Sequence, residues 1–109
     1  MKPRIYQDPK MRERRTAWSR SRGLAKFRGE TWNLTWAEFL QFWRDQDIWE
    51  RRGKTMQSLV LTRRDLSGPW DAENCCLITR HNQQLISGAR RRGADTAAYY
   101  REAIYIDGE

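Results

Sequence analysis

The chain has 109 residues, which is enough for one compact domain and too few for two independent hydrophobic cores. Aromatic residues make up 12% of the chain and include six Trp, a content that excludes disorder by composition. Its apolar runs are only a few residues long, whereas roughly 20 residues are needed to cross a bilayer, so we expect neither a membrane span nor a secretory leader.

Basic residues are concentrated in the first third of the chain. Lys and Arg together number 21 against 14 Asp and Glu, and residues 1–30 alone contain ten of the basic residues and three of the acidic ones. A second cluster is Arg90-Arg91-Arg92. Such uneven positive charge is typical of nucleic-acid-binding proteins, which neutralise phosphates and release counterions. A solvated helix face and a surface for an acidic protein are the alternative explanations.

The first predicted element is a basic helix over residues 9–28. Asp8 is a favourable N-cap, and Pro9 suits the first helical position because its missing N–H would have no partner there. Gly29 ends the helix, while Gly23 leaves open a break into two shorter helices. A thin apolar stripe at seven-residue spacing indicates the packing face, with Met11, Trp18 and Ala25.

An aromatic helix is predicted next, over residues 36–49. Thr35 and Glu38 form the pattern of a capping box, in which each side chain accepts a hydrogen bond from the other residue's backbone N–H. We expect the apolar face of this helix in the core, because base stacking needs exposed rings and a small domain needs them buried. That face is formed at helical spacing by Trp36, Phe39, Leu40 and Trp43.

A β-hairpin and a third helix follow. Residues 58–64 and 74–78 are the strand candidates, and the turn-forming residues 65–71 join them. Thr79 caps the third helix, which is predicted over residues 80–91. The coarse order is therefore two helices, a hairpin and a further helix, which is typical of the α+β class.

The third helix is expected to place Gln84 and Leu85 on its inner side. Asp95 is the predicted N-cap of a short final helix that ends near Tyr105. We therefore expect a single domain over residues 1–109. Its parts are basic and aromatic helices over residues 9–50, a ββα module over residues 58–92 and a C-terminal helix over residues 94–106.

The only two cysteines, Cys75 and Cys76, are adjacent. Neighbouring strand residues point to opposite faces, so a disulfide between them is not expected. Together with the single histidine, His81, they are too few for a four-ligand structural zinc site. We expect reduced thiols, as in a cytoplasmic protein, with at least one of them buried.

A series of short motifs carries a family resemblance. The motifs Leu61-Thr62-Arg63-Arg64-Asp65, Gly68-Pro69-Trp70, Glu73-Asn74, Ile78-Thr79 and Asn82-Gln83 follow one another in the hairpin and its helix. In this order they resemble the ββα core of small phage-type HNH endonucleases, and residues 22–29 with the aromatic helix resemble the leader of the same proteins. The resemblance covers roughly residues 15–88. It implies an HNH-like hairpin–helix module with flanking N-terminal and C-terminal helices, in the cytoplasm of a bacterial host cell.

The same resemblance implies where the chemistry of an HNH site would lie. Such a site holds one divalent metal and a general base that activates water. The strand ligand falls at Thr62, the base at Arg63, the central Asn at Asn74 and the helix ligand at Gln83. A neutral hydroxyl or amide is a weak substitute for a carboxylate on a hard cation, and a guanidinium does not deprotonate water. We therefore expect no standard HNH catalysis and no cofactor.

An active endonuclease with an altered site is one alternative. It would use Asp65, Asn74 and His81 as candidate catalytic residues, with Asp65 and Asn74 as candidate ligands of Mg²⁺ or Mn²⁺. Each residue also has a structural explanation. Asp65 is a typical turn former, Asn74 would fix the loop through its backbone, and a histidine in a first helical turn is commonly solvated.

The sequence thus favours a phage-type DNA-binding protein with a degenerate HNH-like fold, RNA being the alternative nucleic acid. No membrane partner is expected. A second alternative is a phage protein that docks on a host enzyme or nucleoprotein. The candidate nucleic-acid-binding residues lie on the ββα unit and at the end of the first helix, and they are Arg63, Arg64, Arg80, Arg90, Arg91, Arg92, Lys26 and Arg28.

Overall fold

A computed structural model describes residues 8–106 of the chain. It contains helices α1 (Pro9–Phe27), α2 (Trp36–Phe42), α3 (Gln46–Glu50) and α4 (Arg80–Arg91), strands β1 (Leu59–Arg63) and β2 (Cys75–Thr79), and a 3₁₀ turn at Ala97–Tyr100. This mixture confirms the α+β class. Within these residues, no helix has both the length and the apolar character that a membrane span requires. Lys2 and Arg4 of the basic N-terminal third lie outside the described residues.

Helix α1 is continuous, as one of the two predictions allowed. A carboxylate oxygen of Asp8 accepts from the Lys10 backbone N–H at 3.0 Å and caps the helix. Gly29 follows the end of the helix with a φ of +77°, a conformation that glycine adopts without a Cβ penalty. Gly23 lies inside the helix and does not break it.

The predicted helix over residues 36–49 is wrong in its length, because the chain leaves the helix at Trp43 and starts again at Gln46. The capping box of Thr35 and Glu38 is confirmed. Arg14 Nε of α1 donates to the Trp43 carbonyl at 3.1 Å, a tertiary bond that replaces a continued helical one. The break places the rings of Trp43 and Trp49 edge to face, with centroids 5.7 Å apart in the core.

The hairpin has two faces that contact different parts of the protein. β1 and β2 are antiparallel, and their register runs from Leu59 opposite Thr79 to Arg63 opposite Cys75. Because side chains alternate along a strand, one face of β1 packs with Leu59 and Leu61 against the aromatic core formed with α1 and α2. The other face carries Val60 and Thr62 toward α4.

Thr79 Oγ1 accepts from the Asn82 backbone N–H at 3.1 Å and caps α4, as predicted. The inner residues of this helix are Ile86 and Ala89, so the placement of Gln84 and Leu85 on that side is wrong. Helix α4 packs on the face that contains Ile86 and Ala89. This face is shifted along the sequence by about one residue from the predicted one.

The C-terminal segment differs from the predicted helix. Asp95 accepts from the Ala97 backbone N–H at 3.0 Å, but only one 3₁₀ turn follows. The chain then extends beside β2, where Leu77 and Ile104 exchange backbone hydrogen bonds of 2.9 Å. Pairing with the open edge of β2 satisfies backbone groups that a longer helix would leave unpaired.

Both cysteines are buried and unpaired, which matches the expectation of free thiols. Cys75 lies in the aromatic core, and Cys76 lies on the face toward α4. Burial raises the pKa of Cys75 to about 12 and that of Cys76 to about 11, because a thiolate loses its hydration there.

Candidate nucleic-acid interface

A groove of about 560 Å³ runs between β1 and α4. Thr62 lines it from the strand, and Gln83, Ser87, Arg90 and Arg91 line it from the helix. None of the lining residues of this groove is Asp or Glu. The structure therefore brings Thr62 and Gln83, the two positions to which the HNH resemblance assigns metal ligands, into one groove lined by neutral and cationic groups.

Arg63 lies on the opposite face of the hairpin and is only 7% exposed. Its Nη2 lies 3.0 Å from Glu30 Oε2, its Nη1 donates to the Gly68 carbonyl at 2.8 Å, and its guanidinium stacks 5.0 Å from the Trp70 ring. The charge of Arg63, which was predicted to contact nucleic acid, is therefore paired with Glu30 inside the protein. For the same reason the position assigned to a general base does not face the groove.

Asn74 fixes the hairpin turn with its whole side-chain amide. Its Oδ1 accepts from the Asp65 backbone N–H at 3.0 Å, and its Nδ2 donates to the carbonyls of Asp65 at 2.9 Å and Pro69 at 2.8 Å. A Cβ on Gly68 would lie 3.0 Å from that Nδ2, so a larger residue there requires the Asn74 amide to shift. Every polar atom of the Asn74 side chain is thus engaged in the turn.

Asp65 acts as the turn former that its sequence context indicates. Its Oδ1 accepts from the Ser67 backbone N–H at 3.0 Å and from the Ser67 hydroxyl at 2.7 Å. These hydrogen bonds hold the pKa of Asp65 below its usual value, since they favour the charged carboxylate. The turn is closed by a further bond from the Gly68 N–H to the Asp65 carbonyl.

His81 lies at the other end of the hairpin. It follows the register position where Leu59 meets Thr79, and its backbone N–H donates to the Met56 carbonyl. Asp65 lies beyond Arg63, the far end of β1, and a five-residue strand spans about 13 Å. His81 therefore does not meet Asp65 and Asn74. Among residues 8–106, no group of three or more His, Cys, Asp or Glu could hold a metal ion.

The donors present do not fit a bound Mg²⁺ or Mn²⁺. Asp65 and Asn74 are adjacent, but their side chains are hydrogen-bonded within the turn. The groove itself offers a hydroxyl, amides and arginines, and a hard divalent cation needs anionic oxygen ligands to compensate for lost water.

Two arginines of the interface also hold the fold. Arg90 is half-buried, and its Nη2 donates to the Arg64 carbonyl at 2.6 Å and to the Tyr100 hydroxyl at 3.0 Å. Arg64 is exposed, with its Nη2 donating to the Glu73 carbonyl and its guanidinium 5.4 Å from the Tyr105 ring. The last turn of α4 is thereby fastened to the end of β1.

The remaining cations form two separate groups. Arg91 and Arg92 are exposed at the end of α4, and Lys26 and Arg28 are exposed at the end of α1. Leu66 at the hairpin tip lines both the groove, which Arg91 also lines, and a neighbouring depression of about 370 Å³ that Gly29 lines, the residue after Arg28. Arg80 lies away from both, at the start of α4, where its Nε donates to the Gly53 carbonyl.

Several arginines of the basic first third pack against other residues of the protein and are not free at its surface. The sequence analysis did not predict this packing. Arg14 is only 5% exposed, and its Nη2 donates to Gln46 Oε1 at 3.2 Å. Arg15 and Arg22 stack over the Trp18 ring at 4.4 and 4.5 Å. The available signal was spacing, because these arginines precede or follow Trp18 by three or four residues, which share a helix face.

The chain was compared with family models, curated proteins and solved structures. None of the three comparisons found a match. The likeness to HNH proteins therefore rests on the motifs of the sequence alone.

Proposed function

We propose that this protein binds nucleic acid, with duplex DNA as the favoured ligand, across a degenerate HNH-like ββα unit of phage type, and does not cleave it. The composition of the groove between β1 and α4 carries the proposal. Arginine, amide and hydroxyl donors line it without a carboxylate, and these groups donate to phosphate oxygens.

The distribution of the exposed cations adds support. Arg91 and Arg92 lie at the end of α4, which Arg90 fastens to the end of β1. Lys26 and Arg28 precede Gly29, which lines the depression beside the hairpin tip at the same end of the groove. Duplex DNA carries one negative charge per about 1.7 Å of its axis, so several cations beside one groove contact several phosphates. Contacts of this kind position a duplex without reading its sequence, and weak sequence specificity is expected.

The proposal excludes standard HNH chemistry on the basis of the residues present. Thr62 and Gln83 bring no charge to a cation, and Arg63 is both permanently protonated and turned away from the groove. Loss of a general base alone costs about 10²- to 10⁴-fold in rate. The groove is therefore assigned to binding.

Charge reversal at the end of α4 tests the proposal. The double variant Arg91→Glu, Arg92→Glu changes exposed residues only. Arg90 is left unchanged, because it donates hydrogen bonds to the Arg64 carbonyl and the Tyr100 hydroxyl. Fluorescence anisotropy with a labelled duplex over a salt series should show about tenfold or greater loss of affinity and a salt slope reduced by about one per lost phosphate contact.

Arg44→Glu, at an exposed site after α2, is the control with the same charge change per residue. It should reduce affinity by much less than the double variant does. Equal effects of the two variants, or an unchanged salt slope, would overturn the assignment of the groove.

Incubation of a supercoiled plasmid with Mg²⁺ or Mn²⁺ separates binding from cleavage. We expect no nicking above that of a heat-denatured sample. Asn74→Ala is unsuitable for this test, because it removes three hydrogen bonds of the turn whatever the chemistry. Nicking that EDTA abolishes and that Gln83→Leu, a change in the groove, also abolishes would establish the endonuclease instead.

A further inference from the structure

A second cavity lies beside the edge of β1 that faces away from β2, next to the start of α4 and to Arg52, which forms a parallel bridge with Leu59 at that edge. It has a volume of about 350 Å³, which is within the range of about 300–1,000 Å³ typical of small-ligand sites. Its lining is divided. Apolar groups of Phe39, Leu59 and Leu61 form one part, and the cations Arg52, Lys54 and Arg80 form the other. This cavity is called the β1 cleft below.

Two of the three cations of the β1 cleft are held in place by the fold. Arg52 stacks over the Trp49 ring at 4.2 Å, and Arg80 Nε donates to the carbonyl of Gly53. No carboxylate lines the cleft. Glu13 attracts the Arg52 charge and lines a neighbouring depression together with it. Within residues 8–106, however, Glu13 and Arg52 form no ion pair. Arg52 and Arg80 are thus held by contacts within the protein, Lys54 is exposed beside them, and the lining supplies no counterion.

An unpartnered donor lies in the same wall. Trp43 lines the cleft, is only 2% exposed, and its Nε1 has no hydrogen-bond partner among the described residues. A buried N–H without a partner is destabilising, and such groups in native proteins call for a specific explanation. The Nε1 atom is itself buried, so a ligand acceptor that pairs with it must displace part of the cleft wall, and this support is independent of the charge argument.

We propose that the β1 cleft binds a nucleotide, with its phosphate beside Arg52, Lys54 and Arg80. The ligand must be anionic and rich in acceptors to suit the cations and the indole N–H, and it must carry a less polar body to suit Phe39 and the strand leucines. A free nucleotide and the 5′-terminal nucleotide of a strand share this chemistry. The cleft is separate from the groove, so the inference does not rest on the proposed function.

Calorimetric titration of the full chain with adenosine 5′-monophosphate, compared with adenosine, is the first test. We expect the phosphate to improve affinity by at least about tenfold, since hydrogen bonds between arginine or lysine and a phosphate are stronger than neutral ones. Equal affinities, or no binding of either compound at millimolar concentration, would overturn the proposal.

Lys54→Glu removes one cation at an exposed position and should weaken binding of the monophosphate by about tenfold. Arg101→Glu is the matched control, because it reverses an exposed charge after the 3₁₀ turn, on the β2 side of the hairpin. Its affinity should stay within about twofold of the wild type. Equal losses in the two variants would contradict the placement of the phosphate.

Trp43→Phe keeps an aromatic ring in the core and removes only the indole ring's extra atoms and its N–H. With folding verified by circular dichroism, it should lower the affinity for the monophosphate by about fivefold, the value of one neutral hydrogen bond. An unchanged affinity would overturn the site as drawn, whereas Lys54→Glu tests it without any change in the core.

Oligonucleotides with and without a 5′-phosphate identify the source of the ligand. If a 5′-phosphate raises the affinity for the oligonucleotide and Lys54→Glu abolishes this increase, the cleft binds a strand end. If the phosphate raises affinity only in the monophosphate, the cleft binds a free nucleotide. The variant Arg91→Glu, Arg92→Glu should leave monophosphate binding unchanged. Failure of duplex binding and failure of the cleft are therefore distinguishable.

Discussion

Replacing Glu30 by Gln tests whether Arg63 serves the fold rather than a ligand. The carboxylate of Glu30 has two partners, with Oε2 at 3.0 Å from Arg63 Nη2 and Oε1 accepting from Trp70 Nε1 at 3.0 Å. Gln has nearly the same shape and keeps one acceptor, so the substitution removes the charge without opening a cavity. It leaves the Arg63 guanidinium buried without its counter-charge.

The magnitude follows from the burial of the pair. Removing one partner of a fully buried ion pair costs about 3–5 kcal/mol. The Glu30 side chain is 21% exposed against 8% for Arg63, so solvent compensates in part and we expect a loss of about 2 kcal/mol. For a domain of this size, that corresponds to a fall in Tm of about 8–16 °C.

Urea unfolding followed by tryptophan fluorescence measures the effect, with a lower midpoint and an unchanged m-value as the expected result. Glu73→Gln is the control, because Glu73 is exposed and its side chain makes no hydrogen bond or ion pair within residues 8–106. The control should lie within about 0.5 kcal/mol of the wild type. A Glu30→Gln variant as stable as the control would refute the structural assignment of Arg63.

Gly23→Ala should stabilise the protein by about 0.5–1 kcal/mol, because alanine favours the helix and no atom lies within 4 Å of the added Cβ in α1. Gly29→Ala should destabilise the protein by about 1–2 kcal/mol, because a Cβ is strained at a φ of +77°. Denaturation of the two variants checks this, and effects of the same sign would contradict it. Cys75 and Cys76, with pKa values raised to about 12 and 11, should react with a thiol reagent at pH 8 only as urea unfolds the chain, and immediate reaction of the native protein would show that they are not buried. Since hydrogen bonds lower the Asp65 pKa, its stabilising effect is present above the usual value of 3.8 and is lost as pH falls through the lowered value. Asp65→Asn should flatten the acid loss of stability that we expect below about pH 4, and an unchanged pH profile would count against the turn assignment.

Local signals in the sequence predicted the elements that depend on neighbouring residues. The caps formed by Asp8, Thr35 and Thr79 all accept the backbone hydrogen bonds expected of them. Each cap is decided within a few residues, so a single sequence contains the information. The turn roles of Asp65 and Asn74 were accessible for the same reason.

Long-range pairing decided the features that the sequence did not reveal. The break between α2 and α3 depends on Arg14, which reaches the Trp43 carbonyl from a residue 29 positions earlier. The burial of Arg63 depends on Glu30, which comes from the segment after α1 and carries no local mark of this pairing. A basic residue near a strand end has the same appearance whether its charge faces solvent or a partner in the core. The candidate interface predicted from the sequence therefore included Arg63, whose charge is paired with Glu30 inside the protein.

Titration of the isotope-labelled protein with a short DNA duplex, followed by backbone amide shifts in nuclear magnetic resonance, tests the central claim most directly. We expect salt-sensitive changes of the amide shifts along the groove, at Gln83, Ser87 and Arg91, and at the hairpin tip. The duplex should remain uncleaved during the titration. Shifts confined to other surfaces, or no shifts at low salt, would contradict the assignment of the groove between β1 and α4 to nucleic acid.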